Sequence, residues 1–316
     1  MRKGVLIYNP VAGRRPAARG KEVRDAAAVL ERTGLQIELA PTPGPAMAHE
    51  LARAAVASGV DVVLACGGDG TINEVVNGLA TSQVPLGILP GGTANILARE
   101  LHLPLNPVAA ARDLTAWIPR RIALGRARWE DAGPSHQGGE FVPQTHCRYY
   151  ISVAGIGYDA HVVYKLSPWL KSNFGVVGYI VEALRQWAIC SFPGFRCHIA
   201  GRERLCTFAV IQRTRLYAGW LHLAPTANLF QPHFVLCSFP SRNRIRYLLY
   251  AGAVLARQHV RLRDVSLDQC DEVVCAPEDP STIIRFELDG ELAGNLPATF
   301  EIVPGALTVL APASRS

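Results

Sequence analysis

The chain has 316 residues, which is longer than one ordinary domain, so we expect two domains. Hydrophobic residues make up 49% and charged residues 18%, a composition that excludes an intrinsically disordered chain. The net charge of +6 is compatible with an anionic membrane surface, a polyphosphate ligand, nucleic acid, or simply a basic cytosolic protein.

The eight cysteines form neither a CxxC pair nor a Cys/His zinc pattern, which is typical of a protein in the reducing cytoplasm. The N-terminus enters a strand directly and lacks the long apolar stretch of a signal peptide. The best candidate for a membrane span, 174–192, is interrupted by Glu182 and Arg185, so we expect no transmembrane segment. We therefore predict a cytoplasmic location.

The first part of the chain alternates strands and helices in the manner of a parallel sheet. Strands are predicted at 4–8, 35–39, 60–65 and 85–89, and helices at 17–32, 45–58 and 71–79. Thr71 is expected to cap the last of these helices. Ligand sites in such sheets form beyond the carboxyl ends of the strands. Three of those ends carry loops rich in Gly, Asn or Thr.

The second part of the chain consists mainly of short alternating runs, which predict an antiparallel β-sandwich. The predicted strands include 149–154, 207–212, 234–239, 283–288 and 307–310, and helices are predicted at 172–188 and 244–258. The polar stretch 131–145 is expected to be an exposed connection. We expect an α/β domain at 1–118 and a β-sandwich domain at 119–316.

A glycine-rich segment, Gly67-Gly68-Asp69-Gly70-Thr71, follows the third predicted strand. Backbone N–H groups at such a turn and at a helix N-terminus can hold phosphate oxygens. An aspartate beside them fits a Mg²⁺ ion that lies between its carboxylate and a triphosphate. The segment alone is equally compatible with a tight turn whose aspartate stabilises the helix dipole.

Further blocks surround this segment: the loop 9–13, Asn73-Glu74-Val75, and 90–95 followed by 98–101. In order and spacing they resemble the diacylglycerol kinase catalytic-domain family, the bacterial lipid kinase branch related to sphingosine and ceramide kinases. The resemblance extends from about Lys3 to Pro312. It implies an N-terminal parallel-sheet domain like that of NAD kinase, a C-terminal β-sandwich domain, and an ATP site in the cleft between them.

The resemblance also implies site residues in the first domain. ATP would be bound by Asn9, Pro10, Ala12, Gly13, Thr42, Gly67, Gly68, Asp69, Gly70, Thr71, Asn73, Gly92 and Thr93. Asp69 would act in catalysis and would also meet the Mg²⁺ ion carried by ATP. ATP and Mg²⁺ are therefore the expected cofactors.

In the second domain, Gly155-Ile156-Gly157-Tyr158-Asp159 is similar to a lipid kinase block whose aspartate recognises the acceptor hydroxyl, which implies substrate binding by Asp159. The alternative is an aspartate that caps the following helix.

The segment Asp289-Gly290-Glu291 resembles a late family motif. It implies Glu291 as proton acceptor and Asp289 at the nucleotide or metal, although which acid has which role stays open. A hairpin turn is compatible with both roles. Gln231 and Pro232 stand where many bacterial members carry the Asp-Gly of a second, structural Mg²⁺ site, so no residue is assigned to that site.

The function implied is transfer of the γ-phosphate of ATP to a lipid hydroxyl, with diacylglycerol as the expected acceptor and phosphatidic acid as product. An NAD kinase and a catalytically silent regulatory protein that binds nucleotide or lipid are the alternatives. Aromatic residues and cations in 164–187, and arginines in 242–263, suit an anionic membrane surface, while core packing is the other interpretation of 164–187. We expect peripheral membrane association, no nucleic-acid partner and possible homodimers.

Overall fold

The computed structural model describes residues 1–11, 16–131, 144–166 and 176–313, without the side chains of 16, 17, 131 and 176. The chain divides into two compact units. Unit 1 comprises 1–124, 229–232 and 303–316, and unit 2 comprises 125–228 and 233–302. Ala12 and Gly13, two of the expected ATP-binding residues, lie outside the described residues. The domain boundary expected at residue 118 stays a prediction.

Unit 1 contains a parallel sheet with strand order β2-β1-β3-β4. Its strands are β1 (Lys3–Tyr8), β2 (Gln36–Pro41), β3 (Val62–Gly67) and β4 (Leu86–Pro90). Its helices are α1 (Pro16–Glu31), α2 (Ala48–Ala57), α3 (Asp69–Leu79), α4 (Ile96–Glu100) and α5 (Pro107–Asp113), followed by a 3₁₀ turn at Leu114–Ala116. The alternation of strands and helices predicted for this part of the chain is confirmed.

The burial of β3 explains why its sequence is continuously apolar. Every residue from Val62 to Gly67 is buried, as expected for a parallel strand with helices on both faces of the sheet. The prediction that Thr71 caps the third helix was wrong. The helix begins at Asp69 with Gly68 as its N-cap, and Thr71 lies buried inside the first turn.

Unit 2 is built from antiparallel strands. They are β6 (Gln144–Tyr150), β7 (Val153–Gly157), β8 (Phe195–Ile199), β9 (Arg202–Cys206), β10 (Phe208–Gln212), β11 (Phe234–Phe239), β12 (Ser266–Cys270), β13 (Glu272–Pro277), β14 (Arg285–Leu288) and β15 (Glu291–Asn295). Two long strands, β5 (Trp117–Asp131) and β16 (Ala298–Pro312), have residues in both units. The helices of unit 2 are α6 (Tyr158–Lys165), α7 (Val176–Ile189) and α8 (Arg244–Leu255), with a 3₁₀ turn at His259–Arg261.

The strands of unit 2 form two layers. One layer is a six-stranded sheet with the order β12-β11-β10-β7-β14-β15. The other layer has the order β16-β13-β8-β9, and β5 pairs with both β16 and β6. Buried side chains from both layers make one core, in which the Phe286 and Phe300 rings meet edge to face at 5.3 Å. The predicted β-sandwich is therefore confirmed.

Some predicted boundaries in unit 2 were wrong. The run 149–154 is not one strand, because a turn at Ile151 and Ser152 separates β6 from β7. The run 307–310 is only the end of β16, and the helix predicted at 244–258 ends earlier, at Leu255. Most of the connection 131–145, and the first residues of the helix predicted at 172–188, lie outside the described residues. No helix in the described part of the chain is long and apolar enough to cross a membrane.

Candidate functional site

The loops expected to bind ATP, as far as they are described, meet at one edge of the unit 1 sheet. The N–H of Asn9, after β1, donates to Cys66 O at 3.2 Å, and the N–H of Thr42, after β2, donates to Tyr8 O at 2.8 Å. The N–H of Gly91, after β4, donates to Gly67 O at 2.8 Å. Four successive strand ends are thereby held side by side, which is where parallel sheets bind ligands.

Two glycine loops approach each other closely at this edge. A Cβ atom on Gly92 would lie 2.5 Å from the Cα of Gly68, so a side chain at Gly92 would collide with backbone. Asn95 holds the second loop in shape, because its Oδ1 accepts the N–H of Gly92 at 2.8 Å and its Nδ2 donates to Gly92 O at 3.0 Å. The result is a backbone surface with little side-chain cover at the N-terminus of α3, a feature that suits phosphate.

Asp69 connects these two loops. Its carboxylate accepts the backbone N–H of Asn95 at 3.0 Å and of Ile96 at 2.7 Å, at the start of α4. Burial raises the pKa of Asp69 and outweighs the opposing effect of these two hydrogen bonds. The carboxylate therefore has a structural role whatever else it binds.

The described residues do not form a protein metal centre. They contain no group of three His, Cys, Asp or Glu side chains that could hold a metal ion. Both oxygens of Asp69 already accept backbone N–H groups. Each oxygen keeps a further lone pair, so Asp69 can still contact Mg²⁺ that arrives with the nucleotide, which needs no cage of protein ligands.

Two residues that the sequence analysis did not single out also shape this edge. The buried Arg19 of α1 donates through Nη2 to Gly91 O, and a Cβ on Gly91 would lie 2.7 Å from Arg19 Nη1. Glu74 accepts the N–H of Ala46 at 3.1 Å and of Ala48 at 2.8 Å, so it holds the start of α2. Glu74 stood in a block that resembles the family, whereas no local pattern distinguished Arg19 on its Ala-rich helix.

The remaining predicted residues of unit 1 differ in accessibility. Thr93 is exposed and Pro10 is exposed, whereas Asn73 is buried and its Oδ1 accepts from Asn77 Nδ2 at 3.2 Å. Asn73 therefore stabilises α3 from inside, and direct contact with nucleotide stays a prediction. Asn9 Oδ1 accepts the N–H of Val11 at 3.0 Å, which tightens the first loop.

In unit 2, Asp159 lies buried in the first turn of α6. Its Oδ1 accepts the hydroxyl groups of Tyr179, at 2.5 Å, and Tyr217. Gly157 is the N-cap of this helix and no side chain caps it, so the alternative that Asp159 caps it was wrong. A Cβ on Gly157, whose φ is +80°, would lie 2.4 Å from Thr207 O, which explains the second glycine of this block.

Asp159 shares its site with Glu287 of β14, a residue that the sequence analysis missed. A Cβ on Gly155 would lie 1.9 Å from Asp159 Oδ2 and 2.6 Å from Glu287 Oε1, so both carboxyl groups occupy the space that this glycine leaves free. Burial raises the pKa of both groups, and the charge of Asp159 raises that of Glu287 further. Two adjacent buried carboxyl groups of this kind favour sharing a single proton.

Asp289 and Gly290 form the turn of the β14–β15 hairpin, with φ of 51° and 84°. The carboxylate of Asp289 accepts three backbone N–H groups, from Ile151 at 2.9 Å, Ser152 at 2.8 Å and Val153 at 3.0 Å. The hairpin interpretation is thus confirmed. Asp289 closes the turn between β6 and β7, and its expected contact with nucleotide or metal stays a prediction.

Glu291 follows this turn at the start of β15. Its carboxylate is 37% exposed and forms an ion pair with Arg148 at 2.6 Å. Glu287 supports the same turn, because its Oε2 accepts the N–H of Gly290 at 2.5 Å. The structure therefore connects Glu291 and Asp289, through Glu287, to the site of Asp159. Of these four acids, Asp159 and Glu287 are buried, whereas Asp289 and Glu291 are partly exposed.

Family comparisons account for most of the chain. The diacylglycerol kinase catalytic domain matches residues 3–127, and the YegS C-terminal NAD kinase beta sandwich-like domain matches residues 152–311. A diacylglycerol kinase of Mycobacterium tuberculosis (strain CDC 1551 / Oshkosh) is 30% identical over 314 residues, which cover 98% of this chain and 95% of the relative. The chain belongs to the diacylglycerol kinase family.

A second relative and two solved structures also match nearly the whole chain. A diacylglycerol kinase of Bacillus subtilis (strain 168) is 26% identical over 320 residues, covering 100% of this chain and 98% of the relative. A crystal structure from Bacillus anthracis str. Sterne matches with a TM-score of 0.77 at 20% identity, covering 98% of this chain and 95% of that one. A diacylglycerol kinase structure from the same organism gives a TM-score of 0.70 at 18% identity, with 98% and 97% covered. At these identities the structures establish the fold, an α/β domain followed by a β-sandwich.

Proposed function

We propose that this member of the diacylglycerol kinase family transfers the γ-phosphate of ATP to a lipid hydroxyl, with diacylglycerol as acceptor and phosphatidic acid as product. The observation that carries the proposal is the pair of glycine loops joined by Asp69 at the N-terminus of α3. The named activity of the relatives supports diacylglycerol as the acceptor.

The nucleotide enters this proposal as MgATP. The loop 67–70 would hold its phosphates through backbone N–H groups and the N-terminus of α3, where the helix dipole favours negative charge. The other proposed contacts are Asn9, Pro10, Thr42, Thr71, Asn73, Gly92 and Thr93, with Ala12 and Gly13 still predictions. Asp69 would orient the loops and meet the Mg²⁺ that arrives with ATP. Because phosphoryl transfer depends on positioning and charge neutralisation, a rigid cradle is the main requirement.

The acceptor chemistry requires a base for the lipid hydroxyl. We assign this role to Glu291, whose partly exposed carboxylate can take the proton as the hydroxyl oxygen bonds to the γ-phosphorus and ADP leaves. The proton then passes to solvent. Asp289 and Glu287 would hold the turn that presents Glu291, and Asp159 would act in recognition of the acceptor through its hydrogen-bonded tyrosines.

A lipid acceptor implies action at a membrane surface, and we propose a cytoplasmic protein that associates peripherally with anionic membranes. A homodimer stays a prediction.

The test is transfer of radiolabel from [γ-³²P]ATP with Mg²⁺ to a panel of acceptors. The panel contains diacylglycerol, ceramide, sphingosine, phosphatidylglycerol and undecaprenol in vesicles, and NAD in solution, with products identified by mass spectrometry. We expect label in phosphatidic acid and a loss of about 100-fold or more in Asp69→Asn. Asp113→Asn, an exposed aspartate of α5, is the matched control and should keep full activity.

Label on NAD alone would replace the lipid kinase with an NAD kinase. Absence of transfer to every acceptor by correctly folded protein would favour a regulatory protein. Circular dichroism of both variants ensures that activity is compared between folded proteins.

A further inference from the structure

Helix α7 turns its apolar side outward. Val177, Ile180, Val181, Leu184 and Ile189 are all exposed, and the Leu184 side chain is 58% accessible to solvent. Val177, Ile180, Val181 and Leu184 recur at three- and four-residue intervals, so they line one stripe of the helix, and Ile189 is exposed off this stripe at the helix end. In an ordinary surface helix such a stripe is the buried one.

The buried side of α7 is polar, which fixes its orientation. Glu182 is 5% exposed and Gln186 is 2% exposed. Gln186 Nε2 donates to Glu182 Oε1 at 2.5 Å and Gln186 Oε1 lies 3.0 Å from His161 Nε2 on α6. Tyr179 donates to the buried Asp159. Rotation of α7 to bury its apolar stripe would break this network, so the outward stripe is a property of the fold.

Helix α8 adds a second apolar stripe beside the first. Its buried positions, Tyr247, Tyr250 and Val254, belong to a hydrophobic core, whereas Ile245, Leu248, Leu249 and Leu255 are exposed, Ile245 by 77%. The end of α7 is joined to the start of α8, because Trp187 Nε1 donates to Arg244 O at 2.9 Å. We call the nine exposed apolar residues of the two helices the docking face.

The charges on these helices have one sign at the surface. The acidic residue of α7, Glu182, is buried, and α8 contains no acidic residue. The exposed charged side chains are arginines: Arg185 of α7 is 73% exposed and Arg244 begins α8, while Arg257 follows α8. Exposed apolar side chains flanked by arginines suit an interface of acyl chains and anionic headgroups.

We propose that the docking face inserts into the interfacial region of an anionic membrane, with the arginines on lipid phosphates. A second copy of this chain is a poorer occupant, because a shared interface would bring arginines against arginines. A contiguous apolar patch that stays exposed to water promotes aggregation unless a partner covers it. This inference goes beyond phosphoryl transfer. The choice of a lipid partner rests in part on the proposed function, so the test measures binding without ATP.

The experiment is flotation of the full chain with vesicles of phosphatidylcholine alone or with about one third phosphatidylglycerol. We expect stronger binding to the anionic vesicles and weaker binding at high salt. The variant Leu184→Ser with Leu248→Ser should lower the partition coefficient about tenfold or more. The matched control is Ile283→Ser with Leu105→Ser, since Leu184 and Ile283 are 58% and 63% exposed and Leu248 and Leu105 are 46% and 44% exposed.

Arginine variants test the electrostatic part of the proposal. Arg185→Gln should lower binding to anionic vesicles about fivefold, and Arg196→Gln, on a strand of the sandwich, should leave it unchanged. Equal binding of the docking-face variant and its control would overturn the proposal. So would failure of the unaltered protein to bind either vesicle, or a stable dimer that only the docking-face variant converts to monomer.

A kinase assay without vesicles distinguishes failure of membrane binding from failure of the proposed phosphoryl transfer. Phosphorylation of a short-chain diacylglycerol dissolved as monomer should persist in Leu184→Ser with Leu248→Ser. Loss of vesicle binding with retained activity on the dissolved substrate would therefore concern docking alone.

Discussion

Asp69 accepts the backbone N–H of Asn95 at 3.0 Å, although 26 residues separate them along the chain. This bond joins the loop after β3 to the loop after β4, and Gly91 N–H to Gly67 O joins them a second time. The two loops are therefore one structural unit. Its shape depends on glycines at the points of contact.

Gly68→Ala should separate nucleotide binding from folding. An added Cβ would meet only Gly92 Cα, at an ordinary contact distance of 3.5 Å, so we expect a change in unfolding free energy below about 1 kcal/mol. The methyl group would occupy the phosphate surface, and the KM for ATP should rise about tenfold or more. Gly92→Ala, which collides with backbone, should lose stability as well. Steady-state kinetics measures the KM for ATP and urea unfolding measures the stability of both variants. An unchanged KM in Gly68→Ala would contradict the proposal that this loop binds the phosphates of ATP.

Amide substitution should lower stability at Asp289 and catalytic rate at Glu291. Asp289→Asn replaces one of the two oxygens that accept three backbone N–H groups by an NH₂ donor, so the unfolding free energy should fall by about 1–3 kcal/mol. Glu291→Gln removes a partly exposed ion pair and should change stability by less than about 1 kcal/mol. If Glu291 is the base, its variant should lose about 100-fold or more in kcat. Full kcat in Glu291→Gln would exclude that role.

Glu287→Gln should stabilise the protein at high pH. The pKa of Glu287 is well above its ordinary value of 4.5 when folded, chiefly because of burial and secondly because of Asp159. Between these two pKa values the folded protein holds more protons on this group than the unfolded chain. The free energy of unfolding therefore falls as the pH rises from 4.5 toward the raised pKa. Glutamine removes this loss. The variant should therefore exceed the parent in unfolding free energy at pH 8.

The advantage of Glu287→Gln should shrink toward pH 4, where the glutamate is protonated in both states. Urea unfolding between pH 4 and pH 8 measures it, with the exposed Glu272→Gln as control. A constant difference across this range would contradict the assignment of a shared proton to the pair.

Gly155→Ala should destabilise unit 2 strongly. Its new Cβ would lie 1.9 Å from Asp159 Oδ2 and 2.6 Å from Glu287 Oε1, and neither buried carboxyl group has room to move. We expect a loss of about 1–3 kcal/mol or more in unfolding free energy. Gly252→Ala, in α8 with no atom within 4 Å of its new Cβ, should instead stabilise slightly. Thermal unfolding followed by circular dichroism compares the two, and equal melting temperatures would contradict the crowded site.

Some of these features could be predicted from sequence because they depend on neighbours along the chain. The strands and helices of unit 1 follow from local periodicity, and parallel strands necessarily bring their loops to one edge. The glycine loops and Glu291 stood in recognisable blocks. The predicted strand 149–154 was wrong because the turn that interrupts it is held by Asp289, more than 130 residues away.

The family, the α/β domain with its glycine loops and the β-sandwich could all be inferred from the sequence, because short-range patterns carry that information. The contacts of Asp69 and Asp289 with backbone N–H groups, and the proximity of Glu287 to Asp159, became visible only in three dimensions. The tertiary structure also decided that α7 buries its polar side. A helical pattern gives two faces, but which face lies inside depends on the groups that distant segments bring to meet it, here Asp159 and His161 of α6.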